Sequence, residues 1–101
     1  MSFFVIGDEE TVLGFKLVGV QGIAITKDDE IHDAFRDAIA NRSGKVILIT
    51  ERLAKIIYPD VVRQRASMSL PFVVEIPDRH GPLPSRKSIT EMIREAVGIS
   101  I

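Results

Sequence analysis

The chain has 101 residues, 46% of them apolar, a formal net charge of -1 and no cysteine. That is one domain with enough apolar material for a single core. The charge balance gives no basic excess for nucleic-acid binding. Disulfides and thiolate metal sites are excluded, and no apolar run reaches the roughly 20 residues that cross a bilayer. The N-terminus lacks a basic region before its first apolar run, so a signal peptide is not expected.

The chain opens on Phe3-Phe4-Val5-Ile6, a short, unbroken apolar run of the kind found in buried strands. Gly7 ends it, and Asp8 suits the N-cap of a helix over residues 9–18, with Glu9 and Glu10 at the positive end of its dipole. Val12 and Phe15, with Leu13 and Leu17, are expected on its apolar side. Gly14 offers a close approach to a neighbouring backbone, and Gly19 closes the helix. A second strand is predicted over residues 22–26. Thr26 and Asp29 then form a capping pattern for a helix over residues 27–41, in which Ile31, Ala34, Phe35, Ala38 and Ile39 make one stripe.

After the turn at Asn41-Arg42-Ser43-Gly44 comes Lys45-Val46-Ile47-Leu48-Ile49-Thr50, four apolar residues in succession, which reads as a strand buried on both faces. Thr50 is placed to N-cap a third helix, with Leu53, Ala54, Ile56 and Ile57 inward. Pro59 forces a kink or a restart near Tyr58. A fourth strand lies between Pro71 and Pro77, and prolines at both ends suit the sheet margin. A loop rich in Gly, Pro and charge runs over residues 78–85. Ser88 and Glu91 then open a last helix to about Val97, ended by Gly98.

Strands alternating with helices call for a doubly wound α/β domain: a four-stranded parallel sheet in the order 2-1-3-4, flavodoxin- or receiver-like, with helices on both faces. Residues 1–77 form the globular part, 78–87 a hinge and 88–101 a C-terminal amphipathic arm. Ligands of such sheets sit beyond the carboxyl ends of the strands. Here those ends carry Gly7-Asp8-Glu9, Thr26-Lys27, Thr50-Glu51 and Pro77-Asp78. A phosphate cradle needs more glycine than this, and three acids after the first strand repel phosphate. A phosphoacceptor receiver needs an Asp after the third strand, where Glu51 stands instead. His32 and His80 are far apart and assemble no metal set. No catalytic, cofactor or metal site is expected. The stretch that asks for a partner is Ile89, Met92, Ile93, Ala96 and Val97, an i, i+3, i+4 stripe continued by Ile99 and Ile101. Exposed alone, it also invites self-association of the isolated chain.

Val5-Ile6-Gly7-Asp8, Gly14-Phe15-Lys16-Leu17-Val18-Gly19, Ile47-Leu48-Ile49-Thr50-Glu51, the strand from Pro71 to Pro77, and Ile93-Arg94-Glu95-Ala96-Val97-Gly98 occur here in one order. In that order and spacing, over nearly the whole length, the chain resembles the F subunits of the rotary V/A-type ATPases. The resemblance implies a non-catalytic central-stalk component without cofactors, cytoplasmic and peripheral to the membrane, whose complex couples ATP turnover to proton or sodium transport. It implies as partners the coiled-coil D subunit of the rotor, the socket subunit that joins the stalk to the membrane ring, and contact with the A/B catalytic head. It places the docking face on Ile89, Met92, Ile93, Ala96, Val97, Ile99 and Ile101, with Phe72 and Val74 as neighbouring contacts. The alternatives are a degenerate receiver-like signalling domain and a small-ligand or nucleotide-binding domain.

Overall fold

The computed structural model describes residues 2–41 and 45–78. The element order is β1 (Ser2–Gly7), α1 (Glu9–Leu17), β2 (Gln21–Ala24), a 3-10 turn (Asp28–Glu30), α2 (Ile31–Asn41), β3 (Lys45–Thr50), α3 (Glu51–Ile56), α4 (Tyr58–Ala66) and β4 (Phe72–Ile76). The strands form one parallel sheet in the order β2-β1-β3-β4, as the alternation of elements predicts. The two inner strands are the two unbroken apolar runs.

Each helix starts for a local reason. Asp8 caps α1 as expected: its carboxylate accepts from the Thr11 amide at 3.1 Å and from the Thr11 hydroxyl at 2.6 Å. Gly19 takes a φ of +90° just after the helix, a conformation that disfavours any side chain. The turn before α2 is capped by a different acid from the one expected. Glu30, not Asp29, reaches back to accept from the Thr26 and Lys27 amides at 3.1 and 2.9 Å. Thr50 stands at the N-cap of α3 in extended backbone but makes no side-chain capping bond; it is buried instead. The expected break at Pro59 is real. α3 stops at Ile56, and α4 restarts with the proline in its first turn, where a missing amide hydrogen costs nothing.

Register assigns the side chains to two faces. On one, Phe4 and Ile6 of β1 lie beside Ile47 and Ile49 of β3, which lie beside Val73 and Glu75 of β4. All six are buried, beneath Ile31, Phe35 and Ala38 of α2, Leu53 and Ala54 of α3, Ile57 at the junction and Val61 of α4. This is the main core. Glu75 is tolerated in it because the Arg65 guanidinium meets its carboxylate at 3.0 Å. On the other face Val5, Leu48 and Val74 form one row and Phe3, Val46 and Phe72 another. α1 packs here, over β1 and β2.

Three expectations fail on α1 and α3. Leu13 and Leu17 are exposed, because a nine-residue helix crossing a sheet edge buries only a narrow strip around Val12. Gly14 has no neighbour within 4 Å of a Cβ built on it, among the described residues. Ile56 faces outward, since the helix breaks immediately after it. The glycine that does serve close packing is Gly22: an added methyl would stand 2.5 Å from the Val5 carbonyl oxygen.

Burial sets the mutational response. Ile49→Ala, on the inner strand and fully buried, is expected to cost about 2–5 kcal/mol, against under about 1 kcal/mol for the exposed Leu13→Ala. Urea unfolding of the full chain followed by circular dichroism measures both.

Candidate functional site

The carboxyl rim of the sheet is occupied by structural chemistry. Asp8, the residue a receiver would use for its acidic pair, is committed to capping α1 through Thr11. Glu51 is buried at the start of α3. Gly7 is packed, with an added Cβ falling 2.9 Å from the Thr50 methyl. Among the described residues no three His, Cys, Asp or Glu side chains converge as a metal would require. His32 is exposed on α2. Glu30 has its carboxyl held below the ordinary 4.5, first by hydrogen bonds from the Lys27 and Thr26 amides and then by the Thr26 hydroxyl. That shift belongs to a helix cap.

The unusual feature is the second face of the sheet, where coverage falls off from one strand to the next. Along one row Val5 is fully buried beneath α1, Leu48 is half-buried, and Val74 is 44% exposed. In the row nearer the amino ends, Phe3 and Phe72 are 47% and 49% exposed on either side of the buried Val46. Among the described residues, β4 is packed by α4 and α3, which lie on the opposite face, and α1 covers β1 and β2. The half of this face over β3 and β4 therefore presents apolar side chains without a described helix above them. A parallel sheet is normally covered on both sides. Complete burial would add about 1 kcal/mol for each half-exposed Phe or Val.

A groove lies between α1 and the end of β4, with walls of Glu10, Thr11, Gly14, Phe15 and Val18 on the helix and Pro77 and Asp78 where β4 ends. Gly14 thus lies in a groove wall, which accounts for the empty space beside it.

Of the residues singled out from the sequence, the structure places Phe72 and Val74 on the open half-face, side by side with Leu48 and Val46. Ile89, Met92, Ile93, Ala96, Val97, Ile99 and Ile101 lie outside the described residues, as do His80 and most of the hinge. Phe3 and Leu48 belong to the same surface, although the sequence does not single them out as partner contacts. Strand alternation assigns Phe3 and Leu48 to this face, but only the register shows which of its positions α1 leaves bare.

The described residues form a small doubly wound α/β domain with exposed apolar side chains on one half of a sheet face. Comparison with known proteins is more specific. Residues 3–93 match the family described as ATP synthase (F/14-kDa) subunit. The A-type ATP synthase F subunit of Thermococcus sibiricus is 35% identical over 107 residues, covering all of this chain and 98% of that protein. The A-type F subunit of Methanocaldococcus jannaschii is 34% identical, covering all of this chain and 99% of the relative. The V-type ATP synthase F subunit of Clostridium perfringens is 33% identical over 96% of this chain and 91% of its own length. The chain belongs to the family of ATP synthase F subunits. Among the described residues no helix is long and apolar enough to cross a membrane.

The Glu30 cap gives a pH signature. Its carboxyl is held low in the folded state, so the stabilisation is present above the unfolded value and lost as pH falls through the folded one. The melting-temperature gap between the wild type and Glu30→Gln is expected to be widest near pH 7 and to close on acidification below about pH 4.5.

Proposed function

We propose that this chain is the F subunit of a rotary A/V-type ATP synthase or ATPase and acts as a non-catalytic member of its central stalk. It binds the coiled-coil D subunit of the rotor and neighbours the socket subunit that joins the stalk to the membrane ring. It reaches toward the A/B head and lies on the cytoplasmic side as a peripheral component. ATP chemistry and proton or sodium transport belong to other subunits, and this chain helps to couple them. The observation that carries the reading is the full-length likeness to F subunits of that complex. It is joined to a rim where Asp8 serves as the cap of α1 and to an apolar half-face with no helix of the described chain above it.

The partner surface has two parts in this reading. One is the stripe of the arm, Ile89, Met92, Ile93, Ala96 and Val97, extended by Ile99 and Ile101. The other is the sheet surface at Phe72 and Val74. An apolar stripe at three- and four-residue spacing is the complement of a coiled-coil groove, where burial is non-directional and large side chains supply most of the affinity. The hinge over residues 78–87 would let the two parts meet the rotor at different heights.

Replacing Ile89 and Ile93 together by Asp puts two charges in that stripe. Co-purification and titration against the coiled-coil partner are expected to show at least a tenfold loss of affinity, with the sheet still folded by circular dichroism. Val74→Asp is expected to weaken binding by a smaller factor. Unchanged binding by both variants would remove the docking assignment and leave family membership untouched.

A further inference from the structure

β4 pairs with β3 on one side and ends the sheet on the other. An edge strand turns backbone amides and carbonyls outward, where another chain can pair with them. Along a strand these groups point to the two edges in alternation, residue by residue. Two features put the odd-numbered residues of β4 on the outer edge. Prolines stand at 71 and 77, and a proline at a sheet margin turns its missing amide away from the ladder. Side chains of α4 also reach the carbonyl oxygens of that same row. Gln64 Nε2 donates to Pro71 at 2.9 Å, and Arg65 Nε donates to Val73 at 3.4 Å.

Both side chains are held where they stand. The Ser67 hydroxyl donates to the Gln64 carbonyl oxygen at 2.6 Å, and the Ser67 and Met68 amides return to the Arg63 and Arg65 carbonyls, each at 3.2 Å. Gln64 Nε2 also donates to the Ser69 carbonyl oxygen at 3.2 Å, which ties the loop to the helix. Arg65 Nη2 meets the buried Glu75 carboxylate at 3.0 Å, yet the arginine side chain is 42% exposed. The guanidinium therefore lies at the margin of the sheet. A charge there must lose water before any strand can approach, and the Val73 carbonyl oxygen is already engaged.

The strand so guarded is its own complement. Two copies of β4, antiparallel about a two-fold axis, would centre on Val73, the middle of the outward row, as a pair exchanging both amide-to-carbonyl bonds. That register sets Phe72 of each copy opposite Val74 of the other, on the half-face where both are exposed. Aromatic and β-branched pairs of this kind favour strand pairing. We propose that Gln64 and Arg65 close the β4 edge, and that what they exclude is a second copy of this chain paired through β4. The inference does not rest on the rotor reading.

Amide hydrogen exchange in the dilute full chain, read residue by residue by NMR, tests the orientation. The outward Val73 amide is expected to exchange about tenfold or more faster than that of Val74, which faces β3. Gln64→Ala, Arg65→Ala and Glu75→Gln together remove both guards along with the carboxylate that Arg65 neutralises. This variant is expected to self-associate about tenfold or more tightly than the wild type in sedimentation equilibrium, with Val73 exchange slowed as association proceeds. Glu75→Gln alone keeps both guards and should sediment like the wild type. Three results would each overturn the proposal: a Val73 amide as slow as that of Val74 in the dilute wild type, a folded triple variant that sediments like the wild type, or association that leaves Val73 exchange unchanged. The first comparison uses the unaltered chain, so it decides the matter even where the triple variant does not fold.

Discussion

The structure depends on the pairing of β3 with a parallel neighbour on each side. A strand held that way can satisfy its backbone only inside a sheet, and its alternating side chains then demand cover on both faces. Ile47 and Ile49 receive that cover from α2, α3 and α4. Leu48, on the reverse, receives it only partly among the described residues. The described part of the domain is thus complete on one side and half built on the other. The imbalance arises because α1, nine residues long and joined to the β1–β2 edge, cannot extend over β3 and β4.

The distribution of charge follows from the same arrangement. Acids gather at the carboxyl ends of the strands because helix N-termini begin there, and unpaired amides and the helix dipole favour carboxylates. Asp8 and Glu30 each accept bonds that would otherwise have no acceptor in the helix. The carboxylate that points into the main core, Glu75, is answered by Arg65 from α4, whose Nε also donates to the Val73 carbonyl oxygen at 3.4 Å. These groups hold the scaffold together. A doubly wound topology does not by itself carry chemistry, because function resides in sites and not in topology.

Much of the fold is legible because the inner strands are short unbroken apolar runs and the helix between them is strongly striped. Ile31, Phe35 and Ala38 fall where the periodicity puts them. The proline break at residue 59 and the positive φ at Gly19 are local stereochemistry, readable from one or two residues. What sequence misreads depends on neighbours. Whether Asp29 or Glu30 caps the second helix turns on a single residue of 3-10 geometry. Leu13, Leu17 and Ile56 look like core residues until the lengths and breaks of their helices are known. Gly14 reads as a packing glycine, and only the groove beside it tells which side its missing side chain leaves open. The stripe at residues 89–97 is visible in sequence, whereas the open half-face is spread over Phe3, Leu48, Phe72 and Val74, on three strands far apart in the chain.

By itself, then, the order of residues determined the parallel α/β class, the strand order, the Asp8 cap of α1 with its Gly19 stop, and the apolar character of the C-terminal stripe, because each of these follows from short-range periodicity and backbone stereochemistry. The tertiary structure decided which half of the second face the described helices leave bare, where the groove beside α1 runs, and that Glu30 caps the turn before α2. Those are outcomes of register between strands distant in sequence, and no local pattern encodes how far one helix reaches across its neighbours.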